Sequence, residues 1–272
     1  MAEYSVLLSV YYKEKAEYLR DSIQSIFNQT IPTNDFVVIC DGELTIELNN
    51  VLADMQQLFG NRLHVIQLDN NVGLGNALNE GLKYCKNELV ARMDSDDISR
   101  PNRCEKQLQL FDSHPNLDII SGTVEEFSKS NENVETSRVL PETNEEIIEF
   151  AKKRNPFNHP CVMYKKTAVE TAGGYQELYL LEDYFLWIRM LANGSQGYNI
   201  QEPLLWMRGG RELYKRRSGL KYARSQKKLF RYMSDIGFIT KEQFLKNSAL
   251  RICSSLAPNR LREMMFKRYV RR

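Results

Sequence analysis

Residues 88–103 read ELVARMDSDDISRPNR, and the parsing of that stretch decides the fold. An apolar run over residues 89–93 stops abruptly at three carboxylates, Asp94, Asp96 and Asp97. Ser99-Arg100-Pro101 then reads as a helix start, because proline's fixed φ suits the first helical position. A strand that delivers acids at its C-terminal end, just before a turn, is the ligand-bearing edge of an open α/β sheet. Three carboxylates within four residues repel one another unless a cation or solvent compensates. Hard divalent cations take oxygen ligands and share them with phosphates. Two readings follow: a metal site that holds a phosphate-bearing ligand, or a solvated acidic turn that caps the next helix. The motif is too short to choose between them, so the rest of the chain must.

Upstream, residues 4–11 are β-rich and mostly apolar, as in a strand buried on both faces. Ala16, Leu19, Ile23, Ile26 and Phe27 recur at helical spacing. Residues 36–40 form a second apolar strand ending at Asp41-Gly42, a helix follows over about 44–59, and residues 63–68 form a third strand. After Asn71 and Gly73-Leu74-Gly75, the positions of Ala77, Leu78, Gly81, Leu82 and Cys85 trace the apolar face of a third helix. Strand and helix thus alternate four times in about a hundred residues, the pattern of a parallel, doubly wound sheet. No G-x-G-x-x-G follows the first strand and no G-x-x-x-x-G-K-[ST] occurs, which argues against a dinucleotide-binding Rossmann enzyme and a P-loop enzyme alike.

Downstream the pattern changes. Residues 118–123 and 124–127 read as two short strands, 128–134 as a polar turn, 144–153 as a short helix, 161–164 as a strand and 165–171 as a helical turn. Gly173-Gly174-Tyr175 reads as a loop leading to a helix over about 182–192, and residues 198–200 and 204–207 as two last strands. From Arg208 onward the composition is mostly helical. The net charge of +2 conceals an asymmetry: residues 207–272 carry 19 Lys and Arg against 4 Asp and Glu, which leaves 18 of the 37 bases against 31 of the 35 acids in residues 1–206. An acidic body with a basic tail implies two surfaces. The five cysteines, Cys40, Cys85, Cys104, Cys161 and Cys253, are scattered without a C-x-x-C pair, which fits a reducing compartment better than a disulfide framework or a zinc site. No signal peptide and no bilayer-spanning run is visible.

Taken together, these motifs resemble a family 2 glycosyltransferase of the kind that builds bacterial exopolysaccharide and capsule, with an amylovoran-type transferase as the nearest subgroup. The resemblance covers about residues 4–217. It rests on SVLLSVY at residues 5–11, VICDG at 38–42, NVGLG at 71–75 with Ala77, Leu78 and Asn79, DSDD at 94–97, and Gly173-Gly174-Tyr175 ahead of Glu182-Asp183. It implies an α/β chain of the GT-A fold: a Rossmann-like, mixed, mainly parallel central sheet flanked by helices. Residues 1–206 would form the transferase domain, with a nucleotide-sugar half to about 117 and an acceptor half over about 118–206. Residues 207–272 would be a basic helical C-terminal extension.

The same resemblance implies roles. Asp41 matches the acid that accepts from the nucleotide base, with Val10 and Tyr11 on the other face. Uracil suits that acid, so the donor expected is a UDP-sugar, although thymine offers the same edge. Asp94 and Asp96 match the metal and ribose acids, holding Mn2+ or Mg2+ on the diphosphate, with Ser95 between them. Asp97 either joins them or caps the next helix. Arg92 either reaches the nucleotide or forms a structural ion pair. Asp183 matches the general base that deprotonates the acceptor hydroxyl, with Glu182 beside it, which implies inversion at the anomeric carbon; helix capping is the alternative. Gly174, Tyr175 and His159 fall on the acceptor or donor loop, His159 also reading as a core histidine. There are departures: the family commonly has Pro at Val10 and Asp at Cys40, and no His follows Asp183. In place of that His, Arg208, Arg211, Tyr214, Lys215, Arg216 and Arg217 lie where the family's C-terminal loop covers the donor, so that Arg208 or Arg216 could hold the diphosphate.

The implied partners are a nucleotide-sugar donor and a saccharide or polyprenyl-linked saccharide acceptor. The basic tail reads as docking on the inner membrane surface, as packing on the acidic body, or as a homodimer contact. No nucleic-acid recognition motif accompanies it. The expected location is the cytoplasm or the cytoplasmic face of the membrane. Two other functions fit parts of the pattern. A sugar nucleotidyltransferase would carry a Gly-rich, Arg-bearing loop where this chain has Tyr11-Tyr12-Lys13-Glu14. A degenerate scaffold subunit would have lost an acid, yet Asp41, Asp94, Asp96 and Asp183 are all present.

Overall fold

The computed structural model describes residues 2–128, 131–209 and 219–256, with side chains to 252. Its spine is four parallel strands, β1 (Tyr4–Val10), β2 (Asp35–Cys40), β3 (Leu63–Gln67) and β4 (Leu89–Asp94), set side by side in the order β3-β2-β1-β4. The side chains of β1, β2 and β4 are almost wholly buried, as expected of parallel strands covered on both faces, while the edge strand β3 is only partly so. Helices α1 (Ala16–Phe27) and α2 (Ile46–Phe59) pack with one face of the sheet and α3 (Leu74–Tyr84) with the other. Register puts Ser9 beside Asp94 and Val10 beside Cys40, so all four C-terminal ends share one rim.

The rest of the sheet is mixed. The two-residue strand β5 (Ile98–Ser99) is followed by α4 (Arg103–Ser113), β6 (Leu117–Phe127), β7 (Val134–Arg138), α5 (Asn144–Ala151), β8 (Met163–Lys165), α6 (Lys166–Thr171), α7 (Glu182–Ala192) and β9 (Gln196–Arg208). β8 runs antiparallel to both β4 and β6, and β9 lies parallel to β6. Four expectations need correction. The segment at Ser99 is a strand paired with Leu205 and Trp206, and the helix begins at Arg103. The two strands expected over 118–127 are one, and so are the two expected over 198–207. Each break in pattern is a register shift inside a continuous ladder, at Gly122 and Pro203. Leu204 fills the space a Cβ at Gly122 would take. Part of the expected polar turn, starting at Val134, is strand β7.

Helix α4 starts at Arg103 for a tertiary reason. Arg103 is fully buried and donates to the carbonyls of Arg92 (2.7 Å) and Val162 (3.1 Å), while Gln107 donates to those of Ile120 and Cys161. These two side chains satisfy backbone acceptors where the β4–β8 ladder has ended.

Two further helices, α8 (Gly219–Asp235) and α9 (Lys241–Leu256), close the described chain. Tyr222, Leu229, Phe230 and Met233 of α8 are buried in the same cluster as Trp187 and Leu186 of α7. In α9, Asn247 and Arg251 donate to the carbonyls of Lys152 and Lys153. The apolar side of the basic extension therefore packs on the body over these residues. Leu261, Met264, Met265 and Phe266 lie outside the described residues.

Gly42, just past β2, holds φ +83°, and a Cβ there would sit 2.7 Å from the backbone nitrogen of Asn71. Backbone cannot give way as a side-chain tip does. Gly42→Ala is expected to lower unfolding free energy by about 1–3 kcal/mol in urea titrations. A loss of only a few tenths would show that the 41–42 and 70–71 turns separate freely.

Candidate active site

The acidic turn at the end of β4 is fixed from three sides. Ser22 of α1 donates to the carbonyl of Asp94 (2.8 Å), and Ser25 of the same helix and Gln29 just past its end bind the backbone and side chain at Ser99. Ser95 donates to Glu14 (2.6 Å) in the turn after β1. Arg208 at the end of β9 donates its backbone N–H to Asp97 Oδ1 (2.7 Å) and its Nε to the carbonyl of Asp96 (2.9 Å).

This arrangement brings Asp94, Asp96 and Asp97 together, one carboxylate oxygen from each lying within 4.8 Å of the others. Asp97 is 1% exposed and caps no helix, which corrects that alternative: it is drawn inward to the Arg208 backbone, and its Oδ2 has no partner. Burial, then the Asp94 and Glu14 charges, push Asp96 up to about 7. Burial, then the Asp96 and Asp94 charges, hold Asp97 well above the usual carboxylate range. A cluster with this much uncompensated charge, plus an orphaned buried oxygen, fits a hard divalent cation through all-oxygen ligation.

Arg92 supplies part of the counter-charge. It is 1% exposed and ion-paired with Asp94, while its Nε and Nη1 have no partner. Arg208, expected at the diphosphate, has its guanidinium 3.8 Å over the Tyr18 ring and 3.5 Å from Asp21, so it straps β9 onto α1. Arg211, Tyr214, Lys215, Arg216 and Arg217 lie outside the described residues.

Asp41 is buried at the start of α3, with Oδ1 accepting from the N–H of Val72 (2.7 Å) and Oδ2 from that of Gly73 (3.1 Å). Each oxygen keeps a second lone pair. Its own N–H donates to the carbonyl of Val10 (2.8 Å), and the half-buried Tyr11 follows in the same rim. Asp41 thus ties the ends of β1 and β2 to the loop 71–75.

Across the rim, Asn79 of α3 grips Tyr175 at both backbone atoms, accepting from its N–H (2.7 Å) and donating to its carbonyl (2.8 Å). Gly174 (φ +64°) lies so close that a Cβ would sit 2.7 Å from Asn79 Oδ1. The Tyr175 hydroxyl is hydrogen-bonded to His159 Nε2 (2.9 Å). Burial and the nearby Arg92 charge hold His159 well below its ordinary value, so it is a neutral residue packed behind Tyr175 against Trp187. Burial raises the Tyr175 hydroxyl, which also feels the Arg92, Asp183 and Glu182 charges. Tyr175 and Glu182, at the start of α7, both flank Gly75 of α3.

Glu182 and Asp183 occupy the first turn of α7. Asp183 Oδ1 accepts from the N–H of Tyr184, so it does serve the helix start, and Oδ2 accepts from the Asn155 side chain (2.6 Å). Asn155, Glu14 and Arg103 escaped the sequence reading because their partners lie 11 to 81 residues away.

Known proteins resemble the chain over these same elements. Residues 5–172 match the model of glycosyl transferase family 2. The chain is 38% identical over 270 residues (99% of this chain, 97% of the relative) to an Escherichia coli protein named UDP-Gal:alpha-D-GlcNAc-diphosphoundecaprenol beta-1,3-galactosyltransferase. It is 35% identical over 268 residues (97% and 98%) to the amylovoran biosynthesis glycosyltransferase AmsE of Erwinia amylovora. Among solved structures, S. aureus TarS 1-349 in complex with UDP-GlcNAc superposes with a TM-score of 0.69, covering 98% of this chain and 76% of that one at 17% identity. The mannosyltransferase PcManGT from Pyrobaculum calidifontis, solved with GDP-Man and Mn2+, gives 0.66 over 93% and 69% at 14% identity. The architecture is that of GT-A glycosyltransferases.

The Asp96 shift carries a pH signature. Between about pH 4, where the unfolded carboxyl titrates, and about 7, the folded chain keeps a proton that the unfolded chain has released. Stability is thus fully present below pH 4 and is lost as pH rises through 7. In metal-free protein, Asp96→Asn is expected to match wild type near pH 4 and exceed it at pH 8 in urea titrations. A variant no more stable than wild type at pH 8 contradicts the charge-repulsion account of the turn.

Proposed function

The chain belongs to glycosyl transferase family 2, as a polysaccharide-building enzyme that works with nucleotide sugars, and from that we propose an inverting transferase with Asp183 as base. The donor is a UDP-sugar and the group moved a hexosyl or N-acetylhexosaminyl unit. The acceptor is a saccharide carried on a polyprenyl diphosphate, the class named for the Escherichia coli relative. The observation that carries this reading is the carboxylate cluster at the end of β4, where Asp94, Asp96 and Asp97 each bring an oxygen within 4.8 Å of the others.

In this reading residues up to about 117 form the donor half of the transferase domain and residues 118–206 the acceptor half. The uracil edge meets the remaining lone pairs of Asp41, with Val10 and Tyr11 along the ring. Asp94 and Asp96, joined by Asp97, hold Mn2+ or Mg2+, which when bound stabilises the negative charge that develops on the diphosphate. Arg92 orients Asp94 through their ion pair. Asp183 removes the proton of the acceptor hydroxyl, with Asn155 fixing its carboxylate. Tyr175 and Gly174, held by Asn79, form the wall between donor and acceptor. One base attacking on the side opposite the leaving diphosphate inverts the anomeric centre.

No helix among the described residues is long and apolar enough to cross a membrane. The enzyme meets its lipid-linked acceptor at the inner membrane surface through the outward basic side of the extension, each base near an anionic surface contributing about 1 kcal/mol.

Asp183→Asn is expected to lower transfer by about 10²–10⁴-fold while leaving UDP affinity unchanged, since only the proton transfer is lost. Proton NMR of the product is expected to show the anomer opposite to that of the donor. A retained anomer, or a variant with near wild-type turnover, removes Asp183 from the role of base.

A further inference from the structure

Helix α8 buries its apolar side, but its outer side carries Lys221, Arg224, Lys227, Lys228 and Arg231, all exposed. On the body, Arg20 pairs with Asp54, Lys83 with Glu80, Lys106 with Glu202 and Lys152 with Glu149. No described carboxylate forms such a pair with Lys221, Arg224 or Lys228. These three, spaced to share a helix face, line a shallow pocket with Ser225. Its other wall is Glu177, Leu178 and Tyr179, and the Lys221 ammonium lies 4.0 Å over the Tyr179 ring.

That wall is part of the loop that runs into Glu182 and Asp183. Within it Leu180 holds φ 59°, the one non-glycine residue in the left-handed region among the described residues. The loop's course is thus held by packing against a local preference. Tyr179, beneath Lys221 in the first turn of α8, stands four residues before Asp183 in the first turn of α7. The pocket and the carboxylate proposed as base therefore lie at one end of the α7–α8 pair.

We propose that this pocket receives the diphosphate of the lipid-linked acceptor, with its saccharide directed toward Asp183. The inference rests on the acceptor-dependent reading above and adds the subsite. Three bases and the Glu177 carboxylate leave a net charge of +2, which matches the two negative charges of a doubly esterified diphosphate. Arg224 can grip two phosphate oxygens at once, and the lysines act as point charges. Tyr179, 39% exposed, offers a ring face to the first sugar, and Leu220, 61% exposed beside Lys221, offers apolar contact to the lipid. A flat anionic membrane would need only a convex row of bases. A concavity with an aromatic wall and an opposing carboxylate suits a discrete group.

The test is calorimetric titration of geranyl diphosphate into full-length protein whose donor site is saturated with UDP and Mn2+. Wild type is compared with the K221Q/R224Q/K228Q variant, whose changes fall on solvent-exposed side chains. The expected result is a loss of at least tenfold in geranyl diphosphate affinity with UDP affinity unchanged, and no binding of geraniol by either protein. Equal affinity in both proteins overturns the subsite. So does binding that excess UDP displaces, because the probe then occupies the donor site. A variant that loses only its adsorption to phosphatidylglycerol vesicles assigns the bases to bulk lipid and also overturns it. Failure of UDP itself to bind wild type refutes the UDP-sugar donor reading instead, which keeps the two failures apart.

Discussion

Electrostatic repulsion among Asp94, Asp96 and Asp97 is the constraint on which the rest of the molecule depends. Three carboxylates drawn partly out of water cannot all ionise without compensation. The chain supplies some of it: the buried guanidinium of Arg92 and the backbone N–H of Arg208. It also adds charge of the same sign through Glu14. The remaining deficit is what a divalent cation would fill. A site that is destabilising when empty and neutralised when loaded trades stability for binding, a common bargain at functional positions.

The geometry that delivers this cluster comes from the parallel half of the sheet. Register between β1, β2 and β4 sets the ends of three strands level, so Val10, Asp41 and Asp94 reach the same rim without side-chain strain. The second half reaches that rim by other means. Asn79 pulls the Gly174-Tyr175 loop onto α3, Gly75 leaves room for Tyr175 and Glu182 to approach, and Asn155 holds Asp183 from outside its own helix. The extension then packs over α7 with its apolar side and leaves its bases outward, so packing and an accessible cationic surface coexist on one helix.

What could be read from the sequence followed physical lines. Strands β1, β2 and β4 were legible because burial on both faces leaves continuous apolar runs, and α1, α3 and α7 because their apolar spacing is helical. Strands β6 and β9 were misread as broken because Gly122 and Pro203 interrupt the pattern without interrupting the ladder. The acids of the site were visible as a local cluster, as was the pair at 182–183. Their supports were not. Arg103, Asn155 and Glu14 become partners only through contacts set by the folded chain, and nothing in local spacing distinguishes them from ordinary polar residues. The inward course of Asp97 was likewise invisible, since its partner Arg208 lies 111 residues away.

The central claim is that the turn at the end of β4 is a metal-assisted donor site, and calorimetric titration of UDP tests it most directly. Wild type and Asp96→Ala would be titrated with and without Mn2+. The account expects tight binding only for wild type with Mn2+, weakened at least tenfold by removal of either the ion or the carboxylate. UDP binding of equal strength in all four combinations, or in none, would contradict it.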